Sequence, residues 1–316
     1  MNQRTLAGFE KYTKVTRRAQ FLADMERVMP WDKLIGLIRP HYPTMGEQGG
    51  RPPIALERML RVYCLQLWFN LSDPGVEESL YDSDTMRRFV GVDLGSEAPP
   101  DETTVCKFRH LLEKHDMAPR VLKIVNRHLA SRGIKISSGT IVDASIIDAP
   151  SSTKNQDGER DPEMHQTKKG EQYYFGMKMH IGVDSRNKLI HTVQVSAANV
   201  ADKDALPHLL HGKERRVWGD QAYRGQGEVL ARVAPLAQDL TNQRYRQNGH
   251  IDEQIREANR LKSKVRARVE HVFGTIKRVF GFRKVRFRGL AKNRHHARML
   301  AALANVFTMR RRLLAS

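Results

Sequence analysis

The stretch GTIVDASIIDAP, residues 139–150, places an acidic residue in the middle of a predicted β-strand. β-Branched side chains dominate it, which is typical of a buried strand, yet Asp143 stands near its centre. An unpaired carboxylate in such a position costs free energy. The sequence therefore predicts that a cation or another compensating group lies beside Asp143.

The whole chain has 316 residues, of which 40% are hydrophobic, an ordinary globular composition with room for two domains. No apolar run approaches the roughly 18 residues of a membrane span, and the N-terminal residues show no signal-peptide core. We therefore expect a cytoplasmic protein with no membrane partner. Cys64 and Cys106 lie in helical patterns, so neither a disulfide framework nor a cysteine-rich zinc site is expected.

Positive charge is concentrated in the second half of the chain. The net charge is +19; residues 1–150 hold 21 basic and 19 acidic side chains, whereas residues 151–316 hold 33 and 16. Such one-sided charge attracts a polyanion, most often a nucleic acid, because neutralised phosphates release condensed counterions. A basic surface that meets only solvent is the alternative.

The first part of the chain is predicted to be helical. From residue 17 to about 132, apolar residues recur at spacings of three and four. The last of these helices begins near Thr104 and carries Lys107 and Arg109. It could be a recognition helix, although packing against its neighbours is favoured because this half of the chain is nearly neutral.

After Gly133 the pattern changes to alternating strands and helices. The predicted strands cover residues 140–147, 174–184, 189–198 and 215–223, with one more possible at 237–243. The polar segment 151–172 is predicted to be a loop, and a long helix is predicted at about 251–280. The fold class is therefore α/β, with an all-helical N-terminal domain (1–132), a mixed-sheet domain (133–285) and a basic helical C-terminal tail (286–316).

Three acidic residues lie on these elements: Asp143 on the first predicted strand, Asp220 near the end of the fourth, and Glu270 on the long helix. If the first and fourth predicted strands are neighbours, Asp143 and Asp220 lie side by side and the long helix presents Glu270 opposite them. Converging carboxylates repel one another unless cations lie between them, and oxygen ligands suit Mg²⁺ or Mn²⁺. Two such ions about 4 Å apart can activate a water or a 3′ hydroxyl for attack on a phosphodiester.

The long helix offers a further pattern. Arg266, Glu270 and Lys277 are separated by four and seven residues, which at about 100° per residue puts them within about 40° of one face. That face would hold a phosphate backbone near bound metals. An Arg and a Glu four residues apart are also a common solvated pair, and the spacing alone leaves both interpretations open.

Several motifs occur along the chain in a fixed order: RPPIALERMLRVYCLQLWFN, PPDETTVCKFRHLLE, GTIVDASIIDAPSSTKN, RDPEMHQTKKGEQYYFGMKMHIGVD, WGDQAYRG and VRARVEHVFGTIKRVFGF. Together they resemble the DDE transposases of bacterial insertion sequences, in particular the insertion-sequence-five group, from about residue 17 to 307. The resemblance implies a ribonuclease-H-like catalytic core and two Mg²⁺ ions, for which Mn²⁺ substitutes. It also implies cleavage at terminal inverted repeats, strand transfer into target DNA, and a homodimer on the DNA.

The resemblance assigns catalysis and metal binding to Asp143, Asp220 and Glu270. Arg266 and Lys277 match the Arg and Lys of a Tyr-Arg-Glu-Lys signature, while Ser263 stands where its Tyr is expected. Only about 50 residues separate Asp220 from Glu270, which leaves no room for the large insertion domain of some relatives.

Further DNA contacts are predicted near the acids and in the basic C-terminal region: Lys178, His180, Tyr223, Arg224, Arg283, Lys284, Arg286 and Arg288. Rival carboxylates are Asp148, Asp161, Glu163 and Asp184. The N-terminal domain is expected to bind the DNA ends or to dimerise. No nucleotide cofactor is expected, because no G-x-x-x-x-G-K-[ST] loop occurs. A DNA-binding regulator without catalysis and a metal-dependent nuclease that only cuts are the alternative functions.

Overall fold

The computed structural model describes residues 14–44, 52–154, 158–247 and 250–315, and its N-terminal part is helical. Side-chain caps start several helices; the Thr16 hydroxyl, for instance, accepts the Ala19 N–H at 3.1 Å, and Asp101 accepts the Thr104 N–H at 2.6 Å. The described helices before the sheet are α1 (Arg17–Val28), α2 (Trp31–Ile38), α3 (Leu56–Phe69), α4 (Asp73–Asp82), α5 (Asp84–Val90), α6 (Glu102–Lys114) and α7 (Met117–Ser131).

A mixed sheet follows, as predicted. Its strands are β1 (Gly139–Asp148), β2 (His165–Lys169), β3 (Gln172–Asp184), β4 (Ile190–Ala197), β5 (Arg216–Trp218) and β6 (Gln238–Asp239). The central strand β1 pairs antiparallel with β3 and parallel with β5, and β6 extends the sheet parallel to β5. Both β2 and β4 pair antiparallel with β3, at different parts of its length. Two short helices, α8 (Asp202–Ala205) and α9 (Gly227–Val233), connect β4, β5 and β6.

The segment 151–172 was predicted to be a loop, and for part of it that prediction is wrong, because β2 lies within it. The five residues of β2, HQTKK, are polar, and most of their side chains are exposed. A strand exposed on both faces has no alternation of apolar and polar residues that would mark it in the sequence. Its backbone pairing with β3 holds it in place.

The predicted helix at 251–280 is divided. A two-stranded ribbon of β7 (Arg246–Gln247) and β8 (His250–Ile251) precedes α10 (Glu253–Arg266), whose C-cap is Ala267. The next helix, α11 (Arg268–Gly274), passes into a π-helical segment, Thr275–Val279. The prediction of one continuous helix with a regular 100° period is therefore wrong. A π-helical turn contains an extra residue and rotates the following side chains relative to an α-helix.

The last helix, α12 (Leu290–Leu314), is packed against α7, β4 and α1. Asn305 on this helix binds the edge strand β4, because its side chain accepts the Ile190 N–H at 2.8 Å and donates to the Ile190 carbonyl at 2.7 Å. One hydrophobic core runs from the N-terminal helices along the sheet to α12. The residue limits of the three proposed domains stay a prediction. Across the described ranges, we find no helix with the length and apolar character that crossing a bilayer requires.

Candidate active site

The pairing of β1 with β5 brings two of the predicted acids together. Ile141 is level with Trp218 in this parallel pair, and Asp143 and Asp220 each follow two residues later. Gly219 allows the close approach, because a Cβ atom there would lie 3.1 Å from both Val142 and Tyr223 side-chain atoms. The two strands are neighbours, as the sequence predicted, and the two acids are close enough for the charge of Asp220 to raise the pKa of Asp143.

Asp143 has too little positive charge around it for its degree of burial. Its side chain is 19% exposed; one oxygen accepts the Ala144 N–H at 2.8 Å, and the other lies 3.7 Å from the Arg266 guanidinium. Burial is the main cause that raises the pKa of Asp143 to about 6, and the charges of Asp220 and Asp202 raise it further. The Ala144 N–H and Arg266 lower it without restoring its ordinary value. The compensating cation that the sequence requires is thus only partly supplied by the protein.

Asp220 and Glu270 approach the same cleft from different elements. One Asp220 oxygen accepts the Ala222 N–H at 2.9 Å and so begins the turn after β5. Glu270 lies in the first turn of α11 and is exposed. The cleft has a volume of about 890 Å³ and is lined by five carboxylates: Asp143, Asp148, Asp202, Asp220 and Glu270.

Asp202 is the functional candidate that the sequence prediction missed. It begins the short helix α8, and its carboxylate lies 2.9 Å from the Lys178 ammonium and 3.9 Å from the His180 Nδ1. The segment around it reads as the start of an ordinary helix, where an acidic residue is favoured. Only the placement of α8 beside the end of β4 shows that this acid faces Asp143, whose pKa it raises.

Four of the predicted DNA-contacting residues line the cleft. The Lys277 ammonium donates to the Ile146 carbonyl at 2.5 Å, and the Lys178 ammonium donates to the Val200 carbonyl at 2.8 Å. Arg266 faces Asp143, and the Arg283 Nε donates to the Lys277 carbonyl at 3.2 Å. Each of these cations is oriented by a contact within the protein and also borders the cleft.

Two predicted contacts are buried instead. His180 is fully buried beneath the cleft, with its Nε2 2.8 Å from the Ser196 hydroxyl, and burial lowers its pKa to about 4. Tyr223 is also fully buried, and packs with Leu206 and Val217. A buried side chain cannot touch a phosphate without rearrangement, so His180 and Tyr223 are not retained as DNA contacts.

The other predicted contacts lie outside the cleft lining. Arg286 points towards the N-terminal helices, where its guanidinium donates to the Asn70 side chain at 2.7 Å. This hydrogen bond joins the end of α3 to the segment before α12, and a contact of Arg286 with DNA stays a prediction. Arg224, Lys284 and Arg288 are exposed.

Three of the four rival carboxylates make structural hydrogen bonds, whereas the fourth, Asp148, is exposed and lines the cleft. Asp184 is buried and accepts the Ser137 N–H at 2.7 Å, close to the turn after β3. Asp161 accepts the Gly289 N–H at 2.7 Å, and Glu163 accepts the Leu290 N–H, so both hold the start of α12. Ser263, which stands in place of the expected Tyr, accepts a hydrogen bond from Asn242 at 3.1 Å.

The donor chemistry of the cleft fits a divalent cation. Carboxylate oxygens are the ligands that Mg²⁺ and Mn²⁺ prefer, and burial, followed by the charges of Asp220 and Asp202, raises the pKa of Asp143 beyond what its protein partners offset. Across the part of the chain that is described, no three His, Cys, Asp or Glu side chains are grouped so as to hold a metal ion. Asp143, Asp220 and Glu270 line one cleft but, as placed, do not form such a group.

Comparison with solved structures gives a distant likeness. A structure described as the cryo-EM structure of the piggyBac transposase synaptic complex with hairpin DNA aligns with a TM-score of 0.45 and 10% sequence identity. The alignment covers 95% of this chain and 77% of that chain.

Comparison with protein families is decisive. A model described as "Transposase domain (DUF772)" matches residues 9–111. A model described as "Transposase DDE domain" matches residues 135–306, which is more than half of the chain and contains the sheet, the cleft and all three acids. The chain therefore belongs to the family of transposases with a DDE domain.

Proposed function

We propose that this protein is a metal-dependent transposase that cleaves DNA at the terminal inverted repeats of an insertion sequence and joins the ends to target DNA. The observation that carries the proposal is the adjacency of Asp143 and Asp220 on parallel strands, with Glu270 in the same cleft. Membership of the DDE transposase family agrees with it. The insertion-sequence-five group stays a prediction from the motifs.

Asp143, Asp220 and Glu270 are proposed to hold two Mg²⁺ ions, or Mn²⁺ in their place. When bound, such ions activate the attacking oxygen and stabilise the leaving oxygen of an in-line displacement. Glu270 is exposed on α11, and a change of its rotamer or a small shift of the helix would have to carry it towards the aspartates. We expect this adjustment to accompany binding of metal and DNA.

The remaining cleft residues are proposed to bind and orient the DNA. Arg266, Lys277 and Arg283 border the acids, so a backbone phosphate that lies over Asp143 would be within their reach. Charge-assisted hydrogen bonds to phosphate are strong and position the strand without reading its sequence. Lys178 is held by Asp202 and orients that acid beside Asp143.

DNA is the proposed partner, because the net charge of +19 is concentrated in the half of the chain that contains the cleft. The helical N-terminal part is proposed to bind the DNA ends or to form a homodimer on them. We also propose a cytoplasmic protein that associates with the nucleoid when bound to DNA.

Two alternatives make different predictions about products. A transposase-derived regulator would bind DNA without cleaving it, although all three acidic positions are retained here. A nuclease would cleave but form no joined product. The two activities therefore have to be measured in one reaction.

The test uses a labelled DNA fragment with one element end, taken from the DNA that flanks the gene, together with a plasmid target. We expect cleavage at the end and joined products with Mg²⁺, and neither with EDTA. Asp143→Asn, Asp220→Asn and Glu270→Gln should each remove both products and leave DNA binding intact. Glu257→Gln, an exposed substitution on the preceding helix, is the matched control and should retain activity. Binding without cleavage by the wild type would favour the regulator, and cleavage without joining the nuclease.

A further inference from the structure

The hairpin formed by β2 and the first residues of β3, here called the arm (residues 165–175), extends beyond the rest of the sheet. The last residue of β1, Asp148, pairs with Gly176, and β3 residues before Phe175 pair with β2. The two strands of the arm join through Gly170 and Glu171. Gly170 has a φ of +60°, the left-handed conformation that a tight hairpin turn needs.

The tip of the arm is not held by a hydrophobic core. The side chains of Lys168, Lys169, Glu171 and Gln172 are exposed, and the ring of Tyr173 is 67% exposed. A two-stranded hairpin with no buried face is marginally stable in water. Lys168 pairs with Tyr173 across the hairpin, and its ammonium lies 5.7 Å from the centroid of that ring. This contact leaves the ring and both lysines exposed, so they are accessible to a partner.

The arm also forms part of the catalytic cleft. Thr167, Lys168 and Lys169 border the same cavity as the three acids, together with cations from the π-helical segment and the loop after it, Lys277, Arg278 and Arg283. Burial is the largest cause that lowers the pKa of Lys277, and the charges of Lys169 and Arg283 lower it further, while Asp148 raises it. Cations from separate elements thus outnumber the nearby carboxylate of Asp148 in this part of the cleft, which favours binding of a further anion.

The positive charge and the exposed aromatic ring of the arm indicate which kind of partner it binds. A second copy of the chain, with a net charge of +19, would be repelled by a cluster of cations. A nucleic acid backbone brings one phosphate per nucleotide, and an exposed aromatic ring beside lysines provides a stacking surface for a sugar or an unpaired base.

We propose that the arm is a DNA-binding element: Lys168 and Lys169 bind backbone phosphates of the strand that leaves the acids along the cleft, and Tyr173 packs against that strand. This inference rests on the proposed function and adds to it a binding element outside the catalytic triad. The exposed ion pair between Lys168 and Glu171, whose charged atoms are 3.6 Å apart, is weak. Lys168 can therefore exchange the Glu171 carboxylate for a phosphate.

The first experiment measures how binding depends on salt. Full-length protein with Lys168→Gln and Lys169→Gln together is titrated onto a fluorescent duplex with one element end, in EDTA, at a series of KCl concentrations. Loss of two phosphate contacts should reduce the slope of log affinity against log salt by about 1.8. The matched control is Lys123→Gln with Lys213→Gln, which removes the same charge from exposed positions outside the cleft lining and should leave the slope near that of the wild type.

A slope of the arm variant equal to that of the control, in a wild type that binds, cleaves and joins DNA, overturns the role of the arm and leaves the proposed function intact. Absence of DNA binding by the wild type overturns both. All four positions are exposed, so unfolding is not expected, and an unchanged thermal midpoint verifies this.

The second experiment separates stacking from charge. Tyr173→Ala should weaken binding about tenfold without changing the salt slope, because an aromatic contact releases no counterions. Tyr81→Ala, at a ring that is 48% exposed on α4, is the matched control and should bind as the wild type does. Equal affinity of both variants would contradict a contact between Tyr173 and DNA.

Discussion

Two arginine–carboxylate pairs, one in the N-terminal helices and one in the cleft, differ in how fully the protein compensates the acid. The Arg109 guanidinium donates to both oxygens of Asp73 at 2.6 and 2.8 Å, and Gln66 donates to the same carboxylate at 2.8 Å. Burial raises the pKa of Asp73, but these hydrogen bonds outweigh burial and the pKa is lowered. Arg266 lies 3.7 Å from Asp143, where burial prevails and the pKa is raised to about 6.

The difference distinguishes a structural pair from a site that awaits a ligand. Asp73 has its full set of partners within the chain and needs nothing from outside. Asp143 is kept at a cost in folding free energy, together with two neighbouring acids that increase the cost. Such uncompensated charge clusters at functional sites, because it provides the affinity for a cation.

Breaking the compensated pair should have the largest effect on stability. Asp73→Asn removes the carboxylate that is hydrogen-bonded to Arg109, which is 7% exposed and keeps only the more distant Glu113, at 3.7 Å, so we expect a loss of about 3 kcal/mol in the free energy of unfolding. Urea denaturation at neutral pH measures it. Glu78→Gln, an exposed change on the same helix, should cost less than about 0.5 kcal/mol, and similar losses for the two variants would contradict the comparison.

Substitution of the uncompensated acid, Asp143, should have the opposite effect and stabilise the protein. Because the folded-state pKa of Asp143 is raised above its ordinary value of 3.8, the folded protein binds the proton more tightly, and stability falls as the pH rises from about 4 to about 6. Asp143→Asn should therefore stabilise the metal-free protein by up to about 3 kcal/mol at pH 8 and give no such gain below pH 4. Denaturation in EDTA across this range tests the sign, and destabilisation at pH 8 would refute it.

A divalent ion should stabilise the wild type by compensating the charge of Asp143. A ligand at ten times its dissociation constant stabilises the folded state by about 1.4 kcal/mol. We expect Mg²⁺ or Mn²⁺ to raise the thermal midpoint of the wild type and to have no effect on Asp143→Asn. An equal rise in both proteins would indicate binding elsewhere.

The smallest effect is expected at an exposed pair. Arg58 and Glu97 lie 2.6 Å apart, as close as Arg109 and Asp73, but their side chains are 34% and 37% exposed. Water and salt screen such a pair, so Glu97→Gln should cost less than about 1 kcal/mol. A loss as large as that of Asp73→Asn would show that distance, and not burial, decides the strength of these pairs.

The sequence predicted the part of the site that depends on strand neighbours. Asp143 and Asp220 occupy the same position relative to two strand cores, so pairing of those strands was sufficient to bring them together. Helical and strand-rich regions were also predicted, because their hydrophobic periods differ. The assignment of Glu270 rests on the family motifs and stays a prediction, because its exposed position on a helix carries no signal of its own.

The predictions that failed depended on tertiary packing, which no local sequence pattern indicates. His180 alternates along β3 as a cleft residue would, but its side chain is fully buried and lies against the Ser196 hydroxyl of the neighbouring strand β4. Asp202 reaches the cleft only through the path of the chain after β4. The break at Ala267 and the π-helical segment interrupt a helix whose sequence contains no proline, so its regular period was expected to continue.

The most direct test of the metal site is a titration of Mn²⁺, followed by electron paramagnetic resonance, into the protein bound to an element-end duplex. We expect tight Mn²⁺ binding by the wild type, loss of binding in Asp143→Asn and Asp220→Asn, and strong weakening in Glu270→Gln. Asp148→Asn, at an exposed acid that lines the same cleft, should bind Mn²⁺ as the wild type does. Equal binding by all these proteins would contradict the assignment of Asp143, Asp220 and Glu270 as the metal ligands.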